Sequence, residues 1–183
     1  TIVILVDDNL EQIKKCVEET DRMTIVPYDF VIAASTDDHD CKDWVSALKD
    51  ARDDIRIATA PHAAVLAKRI NVGLARANGD FVVVLTQPIQ VTEGWLGRLQ
   101  WVASRNEGIG FLNASIIDGT QDAAWRQRSA LALENIEGNC TDISRLDYRS
   151  FLCTRAVLDR VGGCDVTLDA GQLILDDWTR RMR

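Results

Sequence analysis

Residues 79–97 read Gly-Asp-Phe-Val-Val-Val-Leu-Thr-Gln-Pro-Ile-Gln-Val-Thr-Glu-Gly-Trp-Leu-Gly, an apolar run that leads into a polar loop and then into a helix-like stretch. The run Phe81–Leu85 is apolar without alternation, which is typical of a strand buried on both faces. A polar loop that opens with Thr86-Gln87-Pro88 follows, and we expect a helix to begin near Glu93 or Gly94. These residues predict a central strand, a loop and a helix in succession.

The same order of strand and helix recurs upstream. Strands are predicted at Ile2–Val6, Phe30–Ala34 and Ile55–Ala58, and a further strand is predicted downstream at Ile109–Asn113. Apolar residues at helical spacing follow each strand that precedes residue 90: Leu10, Ile13 and Val17; Cys41, Trp44, Val45 and Leu48; Leu66, Ile70, Leu74 and Ala77; and Leu96, Leu99 and Val102. Strand–helix units in succession predict a parallel sheet with crossover helices.

The regular pattern ends near residue 114. Residues 114–147 are polar and mixed, and we expect an irregular excursion there. The remaining predicted elements are a helix candidate within Ala123–Leu133, a strand at Tyr148–Cys153, a helix at Ala156–Val161 that Gly162-Gly163 stops, and a last helix from about Asp176. At 183 residues and with no visible linker, the chain is predicted to be a single domain over 1–183.

Composition and charge narrow the class of protein. The net charge of -7 argues against a nucleic-acid partner, which requires a basic surface. No apolar run approaches the roughly 18 residues of a membrane-spanning segment. The five cysteines form no Cys-x-x-Cys pair and are predicted to be buried, reduced thiols of a cytoplasmic protein. Because the chain starts with Thr1, we expect a processed protein or a domain cut from a longer one.

A set of segments, taken in chain order, resembles family 2 glycosyltransferases of the GT-A fold. They are the opening strand Thr1–Asn9; Asp29–Asp40 with its Ser-Thr-Asp loop; Lys68–Asp80, similar to R-N-x-G-L-x-x-A-x-G-D/E; Glu93–Leu96 at a helix start; Arg155–Asp165, similar to R-x-V-L-x-x-V-G-G-F-D; and Asp176–Arg181, similar to E-D-x-D-hydrophobic-x-x-R. The resemblance implies a GT-A-like (Rossmann-like) α/β/α sandwich with a mostly parallel central sheet and crossover helices.

The resemblance also implies an activity, the transfer of a sugar from a nucleotide-sugar donor to a glycan, lipid or protein acceptor. Residues 1–113 would form the half that binds the nucleotide-sugar. Residues 114–183, whole or truncated, would form the acceptor side.

Candidate site residues come from the loops at the carboxyl ends of the parallel strands, where open α/β sheets bind their ligands. Together with the resemblance, this rule predicts donor-binding roles for Asp8, Asn9, Ser35, Asp37, His62, Arg69, Thr86 and Gln87. Other interpretations stay open, because Asp8 can be an acid favoured at a helix N-terminus and Asp37 part of a solvated loop beside a helix cap.

The general base is expected near the end of the chain. An inverting sugar transfer needs a carboxylate within hydrogen-bond reach of the acceptor hydroxyl, and the resemblance assigns it to Asp176 or Asp177. If Asp177 matches the last acid of the family's motif, the base position falls on Leu175; a shift of one residue makes Asp176 the base. The alternative is that both acids cap the last helix.

The loop after the central strand departs from the family's pattern. Family members carry a D-x-D-like acidic pair there, which holds a divalent metal on the donor diphosphate, whereas this chain has Thr86 and Pro88. Because Mg²⁺ and Mn²⁺ prefer carboxylate ligands, no metal-ligating residue is predicted and metal binding would be weak. Lys68, Arg69 or Arg181 would then neutralise the diphosphate.

Two functions remain open from the sequence. The ordered set of family-like segments favours an enzyme, and the degenerate D-x-D loop favours a catalytically inactive GT-A-like binding or assembly module of a larger glycan-synthesis protein. A nucleotidyltransferase-like doubly wound domain ranks last, because the basic Gly-rich loop of such enzymes is missing near the first strand.

Overall fold

The computed structural model describes residues 1–105, 109–113 and 146–182. The strands are β1 (Ile2–Val6), β2 (Phe30–Ala34), β3 (Ile55–Thr59), β4 (Phe81–Leu85), β5 (Phe111–Leu112) and β6 (Ser150–Thr154). The helices are α1 (Leu10–Met23), α2 (His39–Ala51), α3 (Leu66–Leu74), α4 (Trp95–Arg105), α5 (Arg155–Val161) and α6 (Gly171–Met182). The helix candidate within Ala123–Leu133 and Cys140 lie outside the described residues.

The strands form one sheet in the order β3-β2-β1-β4-β6-β5. The four strands from β3 to β4 run parallel, and β6 runs antiparallel to both β4 and β5. The prediction of a mostly parallel sheet is therefore confirmed, and β4 lies beside β1 in the middle of the sheet as predicted. Both strands are buried on their two faces, which explains why their sequences are apolar without alternation.

The helices cover both faces of the sheet and so form the predicted α/β/α sandwich. One layer, which contains α3, α5 and α6, packs on the face that presents Val3, Val84 and Phe151. The opposite layer contains α1, α2 and α4 and packs on the face that presents Ile4 and Leu85. Two cores therefore lie on either side of one sheet.

Gly73 lets α3 lie close against β1. A Cβ atom at this position would lie 2.4 Å from the Val3 Cγ1 atom, far inside the ~3.5–4.0 Å of ordinary carbon–carbon contact. The glycine in the Lys68–Asp80 segment therefore has a packing role.

The last helix begins earlier than predicted, at Gly171 and not near Asp176. Two features explain the earlier start. Ile174, Leu175 and Trp178 are all buried on one side of the helix, and a Cβ atom on Gly171 would lie 2.4 Å from the Tyr148 ring. Asp176 and Asp177 therefore lie inside the helix, so the interpretation that they cap it is wrong.

Other predicted boundaries move by a few residues. Helix α2 begins at His39 after its cap Asp38, so the loop predicted at Ser35–Asp40 is shorter than expected. Strand β6 begins at Ser150 and not at Tyr148, and β5 keeps only Phe111–Leu112 of the predicted Ile109–Asn113. Helix α3 ends at Leu74, so the buried residue Ala77 lies beyond it.

Candidate functional site

The carboxyl ends of β1, β2, β3 and β4 lie along one edge of the sheet, which we call the carboxyl edge. Because β6 is antiparallel to β4, its first residues lie at the same edge. The Thr86 amide donates a hydrogen bond to the Arg149 carbonyl over 3.0 Å. The segment Leu146–Arg149, which was not predicted to be functional, therefore joins the predicted loops.

The β1 and β2 loops meet through short polar contacts. Asp8 accepts a hydrogen bond from the Thr36 hydroxyl. Asn9 caps α1, since its side-chain oxygen accepts from the Gln12 amide over 3.3 Å. Asp38 caps α2 by accepting from the Cys41 amide over 2.8 Å, and this hydrogen bond lowers the pKa of the Asp38 carboxyl. Sequence order alone did not show that these contacts join the two loops.

A wide cleft of about 790 Å³ opens over these loops. The acids that line it are Asp7, Asp8, Glu11, Asp38 and Asp40. Since the cleft is strongly acidic, it repels an anion and suits groups that donate hydrogen bonds.

The predicted residues Ser35, Asp37 and His62 gather where β2 and β3 end. Buried Ser35 donates its hydroxyl to the Pro61 carbonyl over 2.7 Å, which ties the two loops together. Asp37 is exposed and pairs with Lys42 at 3.0 Å. The hydrogen bond from Lys42 lowers the pKa of Asp37, with a smaller contribution from His62, which is also exposed.

Arg69 extends from α3 to the end of β1. Its Nη2 atom lies 3.4 Å from the Val6 carbonyl oxygen. Its Nε atom is buried and has no hydrogen-bond partner within the described part of the chain. A buried donor of this kind requires an explanation, because an unmade hydrogen bond costs about 1–3 kcal/mol. An internal water molecule or a ligand oxygen would provide the missing acceptor.

The other two predicted counter-charges lie elsewhere. Lys68 is exposed on α3. Arg181 donates to Asp177 and to the carbonyls of Val161 and Gly163, so it holds α6 against the end of α5. Of the three predicted cations, Arg69 is the one that contacts a strand end at the carboxyl edge.

The Thr86–Pro88 loop does not fit a divalent cation. The Thr86 hydroxyl donates to the Tyr148 carbonyl over 3.0 Å, Gln87 is exposed, and Pro88 has no side-chain ligand. Within residues 1–105, 109–113 and 146–182, no group of three or more His, Cys, Asp or Glu side chains is arranged to hold a metal. Neutral oxygens already used in the fold are poor ligands for Mg²⁺ or Mn²⁺.

A second cleft of about 530 Å³ lies beside this loop. Its lining includes Leu146, Asp147, Tyr148, Arg149 and Gln172. The Asp147 carboxylate accepts hydrogen bonds from the Arg149 side chain, Nε to Oδ1 over 3.0 Å and Nη2 to Oδ2 over 2.5 Å, and from the Arg149 amide over 2.9 Å. This pairing lowers the pKa of the Asp147 carboxyl. Little in the sequence points to this cation, since the direction of β6 cannot be read from a short apolar run.

The two acids of α6 face different partners. Asp176 accepts a hydrogen bond over 3.1 Å from Gln172, which lines the second cleft and also donates to the Leu146 carbonyl over 2.9 Å. Asp177 instead pairs with Arg181 at 2.8 Å. Leu175, the other base position considered, is buried in the core. Contacts therefore connect Asp176, and not Asp177, to the carboxyl edge.

Comparison with known proteins identifies the fold. No protein-family model matches the sequence, and no curated protein matches it. Among solved structures, the chain is similar to the mannosyltransferase PcManGT from Pyrobaculum calidifontis, solved in complex with GDP-Man and Mn²⁺, with a TM-score of 0.67 and 14% identity over 93% of this chain and 48% of that one.

It is also similar to S. aureus TarS 1-349 in complex with UDP, with a TM-score of 0.66 and 11% identity over 99% of this chain and 53% of that one. The fold is therefore GT-A-like, as predicted. The chain spans about half the length of these two structures. None of the helices in the described residues is both long enough and apolar enough to span a bilayer.

Proposed function

We propose that this domain binds a nucleotide-sugar along the carboxyl edge and transfers the sugar to a glycan, lipid or protein acceptor, as a family 2-like glycosyltransferase with a degenerate D-x-D loop. The observation that carries the proposal is Arg69, which reaches the edge where α/β sheets bind ligands and whose buried Nε has no acceptor among the described residues. The similar structures, one with GDP-Man and one with UDP, support a nucleotide-sugar as the donor.

The charges along the edge suggest how the donor lies. The nucleoside would occupy the acidic cleft near Asp8, Asn9 and Asp37, because carboxylates accept hydrogen bonds from ribose hydroxyls and base N–H groups. Ser35 and His62 would line the same end. The diphosphate would lie toward Arg69 and the Thr86-Gln87 backbone, away from acids that repel it.

The acceptor side would use a carboxylate of α6. In the transfer, the acceptor oxygen bonds to the anomeric carbon and the bond from that carbon to the diphosphate oxygen breaks. The bonding electrons leave on the diphosphate, and the acceptor's proton passes to the carboxylate. We assign this role to Asp176, because its hydrogen bond with Gln172 connects it to the second cleft. General bases contribute roughly 10²- to 10⁴-fold to rates.

A binding panel tests the first half of the proposal. UDP, GDP, TDP and CDP are each added to the full chain with EDTA or with Mn²⁺, and the melting midpoint is measured. A ligand present at about 100 times its Kd stabilises the folded state by about 2.7 kcal/mol. We expect one nucleotide to raise the midpoint clearly. No shift with any nucleotide at millimolar concentration, in either condition, contradicts the proposal.

A donor-hydrolysis assay tests the second half. Asp176→Asn should lower turnover by at least about 10²-fold without weakening nucleotide binding. The matched control is Asp159→Asn, the same change at an exposed position on α5, which should leave turnover unchanged. Asp177→Asn is measured beside them, and a larger loss of turnover there would move the base to Asp177. Nucleotide binding without any turnover would identify the inactive binding module instead.

We also propose a cytoplasmic location. The four described cysteines, Cys16, Cys41, Cys153 and Cys164, are buried free thiols, the state expected in a reducing compartment. Fractionation of the native host would test this.

A further inference from the structure

We propose that Arg149, held in place by Asp147, supplies the positive charge at the donor diphosphate that a bound divalent cation supplies in metal-dependent sugar transfer, so that this domain binds its donor without a metal. The inference rests on the proposed function. It concerns a residue that neither the sequence motifs nor the predicted counter-charges Lys68, Arg69 and Arg181 include.

Arg149 lies beside the loop that departs from the metal-binding pattern. Its carbonyl accepts the Thr86 amide over 3.0 Å, and Thr86 occupies the first position of the degenerate D-x-D loop. The Thr86 hydroxyl lies 3.0 Å from the Tyr148 carbonyl oxygen and 3.4 Å from the Arg149 carbonyl oxygen. These hydrogen bonds strengthen the contact between Thr86 and the segment before β6. The place where a metal would be expected thus adjoins the backbone of Arg149, a residue that also lines the second cleft.

Arg149 and Arg69 approach the edge from opposite sides of β4. Arg69 reaches the carbonyl of Val6 at the end of β1, and Arg149 precedes β6. The order β1-β4-β6 separates these strand ends by two strand spacings, about 10 Å in all. A diphosphate above the end of β4 would lie between two cations.

The Arg149 side chain is held in a defined position. Asp147 receives both the Nε and the Nη2 donors of the guanidinium group. The Asp147 backbone is held in turn by Asn113, which accepts from its amide over 2.7 Å and donates to its carbonyl over 2.9 Å. A cation fixed before the ligand arrives needs no reorganisation during the reaction.

The chemistry of the guanidinium group suits this role. Its planar set of N–H donors matches the oxygens of a phosphate, and its charge does not depend on bound metal. The side chain is 33% exposed, which leaves it accessible from the second cleft. When the bond between the anomeric carbon and the diphosphate breaks, the negative charge that develops on the leaving group would face Arg149.

Calorimetric titration of the full chain with the nucleoside diphosphate chosen from the binding panel tests the inference. The wild type should bind with the same affinity in EDTA and in Mn²⁺. Arg149→Ala should weaken binding by about 10- to 100-fold, the range for one hydrogen-bonded charge. Arg149→Lys should recover part of that loss, and Asp147→Asn, which releases the guanidinium group, should give a smaller loss than Arg149→Ala.

Two controls separate binding from folding. Arg76→Ala removes an exposed arginine in the connection from α3 to β4 and should leave the affinity unchanged. The matching free nucleoside should bind wild type and Arg149→Ala equally, which shows that the variant is folded and that the loss concerns the diphosphate.

The outcomes are distinguishable. Binding that requires Mn²⁺, or that Arg149→Ala does not weaken, overturns the inference and leaves the proposed function standing. Failure of every nucleotide to bind overturns both.

Discussion

Asn71→Ala should destabilise the protein strongly, because this side chain joins two distant parts of the chain. Its Nδ2 atom donates to the Cys164 carbonyl over 2.9 Å, and its Oδ1 atom accepts from the Cys164 amide over 2.7 Å. Cys164 is buried, so both of its backbone groups would lose their partner away from water. Each orphaned group costs about 1–3 kcal/mol, and water entering the gap would reduce that cost. We therefore expect a loss of about 2–4 kcal/mol.

Urea unfolding followed by circular dichroism measures this loss directly. A loss of about 2–4 kcal/mol corresponds to a fall in melting midpoint of roughly 5–15 °C for a domain of this size. The matched control is Asn78→Ala, the same substitution at an exposed position just beyond α3, for which we expect a change within about 0.5 kcal/mol. If Asn71→Ala is as stable as that control, the two hydrogen bonds do not dock the segment that precedes α6, and the reasoning fails.

The remaining predictions concern packing, pH and thiol reactivity. Gly73→Ala should cost about 1–3 kcal/mol by overpacking, whereas Gly97→Ala, whose Cβ would meet one methyl group at 3.2 Å, should be close to neutral in the same urea titration. The hydrogen bond from Arg52 lowers the pKa of Asp54, so the stabilisation it gives is present above the unfolded pKa of about 3.9 and is lost as pH falls through the lower folded pKa. Unfolding measured between roughly pH 5 and 2 should therefore show a shallower decline for Asp54→Asn than for wild type. A Cys140→Ser variant should react with a thiol reagent only after unfolding, because the other four cysteines are buried.

The sheet could be predicted from the sequence because the apolar pattern that marks each strand is local. β1 and β4 lie in the middle of the sheet and are buried on both faces. Each of them therefore consists of five consecutive apolar residues, which can be recognised in the sequence. The rule that ligands lie beyond the carboxyl ends of parallel strands then correctly predicted that the loops after Val6, Ala34 and Leu85 share one edge.

The parts that were missed depend on contacts between distant residues. Whether β6 runs parallel or antiparallel is decided by its pairing with β4, and that direction alone brings Arg149 to Thr86. The start of α6 depends on the Tyr148 ring, which packs where Gly171 has no side chain. The different partners of Asp176 and Asp177 depend on the positions of Gln172 and Arg181 around one helix. A linear motif contains none of this information.

Thr86 has a structural role in the loop that follows β4. Buried Thr86 donates its hydroxyl to the carbonyl of Tyr148, which lies just before β6, so it helps to close the seam between β4 and β6. A carboxylate there could not donate that hydrogen bond and would face two carbonyl oxygens, which repel it. A neutral hydroxyl that donates a hydrogen bond therefore suits this seam better than an acidic side chain would.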